Sequence, residues 1–290
     1  MFSMLKKAVI AIAFVIAFAV AASPVDYLNK DSNIYIYVNT ANLLKAKSLQ
    51  KYISMLDEEL KDSGLKARDF SGKAAIGVNL AAKQKEMLCN FDVIVQLNPD
   101  VAAKIYNIIE KESDNENKKT VAGKAALEED ELRVMKQQRD ILSFQIKADG
   151  DLPFTILNKG NNSLKQIKDL EKYDVVVYCN VAETIKKLRS TITEEDKEFF
   201  ESLETVENIC FCGNIDLNGN YKFKLVANCK SEEEAESLFA FVKVVLDLAS
   251  KESDYKYLIK KIKMKRSGSV ITYEATFTGK DIEEIAKLFE

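Results

Sequence analysis

Apolar and polar residues alternate along several short stretches of this chain, the pattern of strands with one face turned inward. Phe91, Val93, Val95 and Leu97 fall on one parity, Asp92 and Gln96 on the other. Leu142, Phe144 and Ile146 repeat the pattern, as do Ile271, Tyr273, Ala275 and Phe277. Asn218-Gly219 separates two strand-like runs, 209–216 and 221–228. Glycine's tolerance of positive φ makes that dipeptide a hairpin turn, and Ser267-Gly268-Ser269 reads as another. Elsewhere the spacing becomes helical. From Ser48, the residues Leu49, Tyr52, Ile53, Leu56 and Leu60 form one stripe. Asn98 is placed as an N-cap with Pro99 at the first helical position, and Val101, Ala102, Ile105, Ile108 and Ile109 then turn inward. Ser231 and Glu234 have capping-box spacing. Behind them Ala235, Leu238, Phe239, Val242, Val245, Leu246 and Ala249 form a broad apolar face, and a last short helix carries Ile282, Ile285, Ala286 and Phe289.

The elements recur. Residues 36–45 (IYVNTANLLK) and 177–186 (VYCNVAETIK) match at Tyr37/Tyr178, Asn39/Asn180, Ala41/Ala182 and Lys45/Lys186. Downstream, the strand 91–97 leads through Asn98 to a helix, and the strand 221–227 leads through Asn228 to another. Each half therefore predicts a β-α-β-β-α-β-β unit, over 22–150 and 151–290, joined by the Gly/Asn-containing segment 148–164. Helices alternating with hairpins predict an α+β fold with mainly antiparallel sheets. The pattern leaves open whether the halves share one sheet.

The N-terminus predicts export. Lys6 and Lys7 precede an apolar run over 8–22, with Ala19 and Ala21 at the −3 and −1 positions for cleavage before Ala22. That is the build of a signal peptide spanning 1–21. As a helix the run covers ~22 Å, short of the roughly 30 Å hydrocarbon core of a bilayer. A retained anchor is the alternative for the same segment. No cysteine lies near the exit to accept a lipid. The expected product is periplasmic or secreted, touching the membrane only in transit. Residues 33–53 (NIYIYVNTANLLKAKSLQKYI) resemble the opening of exported bacterial α+β families, whose mature chains begin with a strand, a small polar turn and a helix. The resemblance implies an exported, duplicated α+β protein and brings no functional residue with it.

Composition narrows the chemistry. Without Lys6 and Lys7, 40 basic residues face 45 acidic ones, which argues against nucleic acid as a partner. Histidine is absent, excluding Ser-His-Asp and Cys-His catalysis and imidazole metal sites. Cys89, Cys179, Cys210, Cys212 and Cys229 all fall in or beside strand-like runs and read as small buried hydrophobes rather than a disulfide framework. Cys210 and Cys212, two apart, project to one face.

Each candidate site has a structural counterpart reading. Asp216, Asn218 and Asn220 start like a calcium loop, but Tyr221 and Ala227 stand where an EF-hand needs Gly and Glu, and a hairpin turn explains the same residues. The run 258–266 (LIKKIKMKR) puts Lys261, Lys263 and Lys265 on one strand face. It is either a basic strip for an anionic partner or an outer strand whose lysines discourage aggregation, and the second reading is preferred. The acidic clusters at Glu128–Glu131, Glu194–Asp196 and Glu232–Glu234 show no acid/base spacing, and no phosphate loop or nucleophile elbow is present. No catalytic residue, cofactor or metal is therefore expected. Tyr37, Asn39, Tyr178 and Asn180 are polar residues shared by both halves, and they are expected either to line a groove between the halves or to cap the helices that follow. The function expected is that of a non-enzymatic periplasmic or cell-envelope protein, binding an unknown envelope protein or ligand through a sheet face or that groove. A small-molecule or lipid carrier, and a hydrolase using carboxylates or a Ser/Lys pair, are the alternatives.

Overall fold

The computed structural model describes residues 23–39, 43–46, 49–83, 86–148, 153–154, 157, 162–192, 197–216, 218–251 and 256–286. The predicted signal peptide with Ala19 and Ala21, the Glu194–Asp196 cluster and Phe289 lie outside them.

Twelve antiparallel strands make one sheet, so the halves share it. They are β1 (Ile34–Asn39), β2 (Lys73–Lys83), β3 (Glu86–Gln96), β4 (Lys118–Val121), β5 (Lys124–Glu128), β6 (Leu132–Lys136) and β7 (Ile141–Lys147), followed by β8 (Val175–Asn180), β9 (Val206–Ile215), β10 (Tyr221–Cys229), β11 (Lys263–Ser267) and β12 (Val270–Phe277). Their spatial order is β11-β12-β10-β9-β8-β1-β2-β3-β7-β6-β5-β4. The seam between the two wings is the β1–β8 pair, with Ile34 opposite Cys179 and Val38 opposite Val175. The N-terminal wing departs from the predicted unit, because four strands rather than two follow its second helix. The extra hairpin, β4–β5, turns at Ala122 (φ 51°) and Gly123 (φ 76°).

The α-helices among the described residues are α1 (Gln50–Glu59), α2 (Pro99–Glu112), α3 (Val181–Leu188), α4 (Lys197–Leu203), α5 (Glu232–Ala249), α6 (Lys256–Ile259) and α7 (Gly279–Ala286), and α1 to α5 pack on one face of the sheet. Asn98 caps α2 as expected, its side chain accepting from the Asp100 N–H at 3.0 Å. Ala102, Ile105 and Ile109 of α2 then pack on Val93, Val95, Leu142 and Phe144, and Tyr106 joins them. Ser231 caps α5 through the Glu234 N–H at 3.1 Å. On the C-terminal wing Val181, Ile185 and Ala235 meet Val206, Ala227 and Ile271.

The second face of the N-terminal wing is also covered, which the alternating pattern did not predict. The 3-10 turn Pro24–Tyr27 and the segment around Leu157 and Leu164 lie over Tyr35, Tyr37, Ala75, Ile94 and Ile141. Asp92 and Gln96, read from the sequence as pointing away from the core face, are 2% and 0% exposed. They are buried because each finds a partner. Asp92 accepts from Asn79 Nδ2 at 2.9 Å and Gln145 Nε2 at 2.8 Å, and Asn79 Oδ1 accepts from Ser32 Oγ at 3.0 Å. Gln96 Nε2 donates to Asp140 at 2.8 Å. The covering segment approaches so closely that a Cβ on Gly77 would lie 2.6 Å from Ser32 Oγ.

Glu128 ties the outer strands together, accepting from Lys119 on β4 at 2.9 Å and from Arg133 on β6 at 2.6 Å. Burial alone would raise this carboxyl, but the two hydrogen bonds outweigh it and hold it below the usual range. Its stabilising contribution is therefore complete above the unfolded-state pKa and is lost as pH falls through the lower folded-state value. Glu128→Gln is expected to cost about 1 kcal/mol at pH 7. The gap from wild type should narrow as urea melts are taken to progressively lower pH, and a gap unchanged by pH would show that charge is not the cause.

Candidate functional site

The four residues expected to line an inter-half groove do not converge. Antiparallel pairing at the seam sends Asn39 and Asn180 to opposite ends: the Asn39 N–H donates to Asp174 O at 2.7 Å and the Asn180 N–H to Asn33 O at 3.0 Å. Tyr178 stands opposite Tyr35, not Tyr37, with ring centroids 6.3 Å apart. Tyr37 is fully buried beneath the covering segment, and its hydroxyl has no hydrogen-bond partner among the described residues. Burial raises the phenol pKa of both Tyr37 and Tyr178. Asn180 caps α3, accepting from the Glu183 N–H at 3.2 Å. The residues immediately after Asn39 lie outside those described. The tyrosines pack on the sheet, and Asn180 caps α3.

Other chemistry-bearing groups are likewise engaged in holding the fold. Asp216 Oδ1 accepts from the N–H groups of Asn218 and Asn220, both at 3.0 Å, and Oδ2 from Asn220 Nδ2 at 3.0 Å. These bonds lower its carboxyl pKa and close the β9–β10 turn, where Gly219 takes φ 78°. Among the described residues no three Cys, Asp or Glu side chains gather as a metal site. None of the five cysteines, all of them among the described residues, is in a disulfide. Cys210 and Cys212 do share a face, with sulfurs 3.7 Å apart. A shared hydrogen bond raises the Cys210 thiol and lowers that of Cys212. Asp281 accepts from Lys261, and from the Thr278 N–H at 2.6 Å and Thr278 Oγ1 at 2.9 Å, a cap for α7 that also keeps its carboxyl low. Glu232 and Glu236 reach Arg266 at 3.3 and 3.5 Å.

What stands out is apolar. The helix α5 is about 27 Å long at its 18 residues, and Ala235, Leu238 and Phe239, in its first half, are the positions that join the core among the described residues. Beyond them Phe241 is 64% exposed, Val244 56%, Val245 44% and Leu248 58%. Positions 241, 244, 245 and 248 fall at helical i, i+3, i+4, i+7 spacing, so these side chains form one ridge. Tyr257 of α6, 42% exposed, is another large apolar side chain left uncovered. Val245, expected to face inward, belongs instead to the ridge, while Val242, Leu246 and Ala249 are the half-buried positions of that half of the helix. The signal for the ridge is present in the sequence: Phe241, Val244 and Leu248 lie outside the face assigned to the core and make a second stripe of their own.

No family model matches the sequence, and no curated protein does. Solved structures do match in fold. Crystal form III of TP0453 superimposes with a TM-score of 0.51 at 12% identity, covering 92% of this chain and 98% of that one. Crystal form I gives 0.50 at 11% identity over 92% and 98% of the two chains. Crystal form IV gives 0.52 at 10% identity over 92% and 97%. At such identities the likeness is one of fold, and it extends along nearly the whole of both chains.

Proposed function

We propose that this chain is a non-enzymatic protein of the cell envelope, exported by its segment 1–21 and bound to a partner protein through the apolar ridge of α5. The ridge carries the reading. Soluble proteins rarely leave several large apolar side chains contiguous in water, and where they do the patch is usually a contact surface. The leader pattern supports export. The engagement of Glu128, Asp216, Glu232 and Asp281 in caps, turns and ion pairs supports a binding role over a hydrolytic one. No enclosed space at the seam is needed for this reading, where Tyr35, Tyr37 and Val176 are packed.

The test is a benzophenone side chain installed at position 241 and irradiated in the intact cell envelope. A discrete protein adduct is expected, identified by mass spectrometry and reproduced with the purified partner. Leu248→Asp should abolish it while changing stability by no more than about 0.5 kcal/mol, because the residue is exposed. Adducts with lipid alone, no adduct, or an adduct indifferent to Leu248→Asp would each overturn the proposal.

A further inference from the structure

We propose that the second face of β10, β12 and β11 is a binding groove for a small soluble ligand carrying two or more phosphate groups. Cover on this face extends from the N-terminal wing across to β9, where Tyr173 and Tyr178 pack beside Cys210 and Cys212. Beyond Tyr173 a cavity of about 470 Å³ opens, lined among others by Cys212, Asn214, Lys222, Lys224 and Lys263. That volume lies within the roughly 300–1,000 Å³ usual for small-ligand sites.

Strand register explains the convergence. Lys263, Glu274 and Lys224 stand in one row across three strands, and Lys222 stands between Asn214 and Thr276 in the next row on that face. With strands ~4.8 Å apart, the α-carbons of Lys263 and Lys224 lie ~10 Å apart, and Lys222 precedes Lys224 by ~7 Å along its strand. Flexible ammonium arms from those positions reach a common opening. They are poorly compensated. Lys224 meets Glu274 only at 3.9 Å, Lys222 feels Asp216 without a direct ion pair, and among the described residues no carboxylate pairs with Lys263 or Lys265, while Lys261 in the same lining is held by Asp281. This local positive charge sits on a chain of net charge −3.

Edge protection, the preferred reading of the 258–266 run, accounts for Lys263 and Lys265, since β11 borders the sheet. It does not account for Lys222 and Lys224, because β10 is paired on both sides. Lysine supplies point-charge donors for phosphate oxygens. Asn214 and Thr276 offer neutral partners for ligand hydroxyls, and Tyr173 gives the groove a wall that favours a compact ligand. The groove lies on the opposite face from α5, so this inference is independent of the ridge and of its partner.

Calorimetric titration of the full-length protein with inorganic tripolyphosphate tests the assignment. Saturable binding that weakens with added salt is expected. Lys224→Gln combined with Lys263→Gln should weaken it about tenfold or more, Glu274→Gln should tighten it severalfold, and Lys243→Gln on α5 should leave it unchanged. No binding at millimolar tripolyphosphate overturns the proposal, as does equal weakening by Lys243→Gln, which would mark a diffuse charge effect. Capture by phosphatidylglycerol vesicles through the same lysines, without tripolyphosphate binding, would overturn it in favour of a membrane surface.

Discussion

Phe144→Ala is expected to lower the unfolding free energy by about 3–5 kcal/mol, the range for emptying a buried aromatic site. The ring is 1% exposed and stands between Val93 on β3 and Val134 on β6, in the same core as Ile105 and Ile109 of α2. Strand neighbours fixed by backbone pairing have little freedom to collapse into the space, so the upper part of the range applies. Urea unfolding followed by circular dichroism measures the loss, and Phe144→Leu should recover most of it. A loss below about 1 kcal/mol would mean that the wing is not packed around this residue.

The second large effect is expected at Asp92. Asn79 and Gln145 each direct an N–H at one of its carboxylate oxygens in a site 2% exposed. Asp92→Ala strands both donors without water and should cost about 2–4 kcal/mol. Asp92→Asn should fall between, since it keeps one acceptor and brings a second amide N–H against existing donors. Reorientation of the neighbours offers little relief, because Asn79 Oδ1 already accepts from Ser32 and Gln145 Oε1 from Arg133 Nη1 at 3.2 Å. If both variants unfold like wild type, the covering segment does not seal this layer.

These two sites mark what the sequence reveals and what it hides. Phe144 was legible as an inward residue from alternation alone, and the caps at Asn98 and Ser231 were legible because each depends on residues two or three positions away. Asp92 reads as outward from alternation because its partners come from β2 and β7 and, through Asn79, from Ser32, all far off in the chain. The β4–β5 hairpin is not legible in the sequence because KKTV and KAALE hold few strand-favouring residues, and because alanine rarely sits at the positive φ of Ala122. The Tyr/Asn motif was correctly located on strands but suggested a groove, since pairing direction is not written in either copy. Lys222, Lys224 and Lys263 were each visible, but only the interposition of β12 between their strands brings them together. The ridge of α5 was present as surplus apolar positions that one helical face could not absorb.

The seam also sets an order of events in synthesis. The ribosome delivers β1 early, but only β2 is soon at hand to bond it; the other row of its N–H and C=O groups waits until Cys179 has emerged to meet Ile34. Closing so distant a contact comes late and slowly. Until then the nascent N-terminal wing exposes an unfinished border that an extended peptide can occupy.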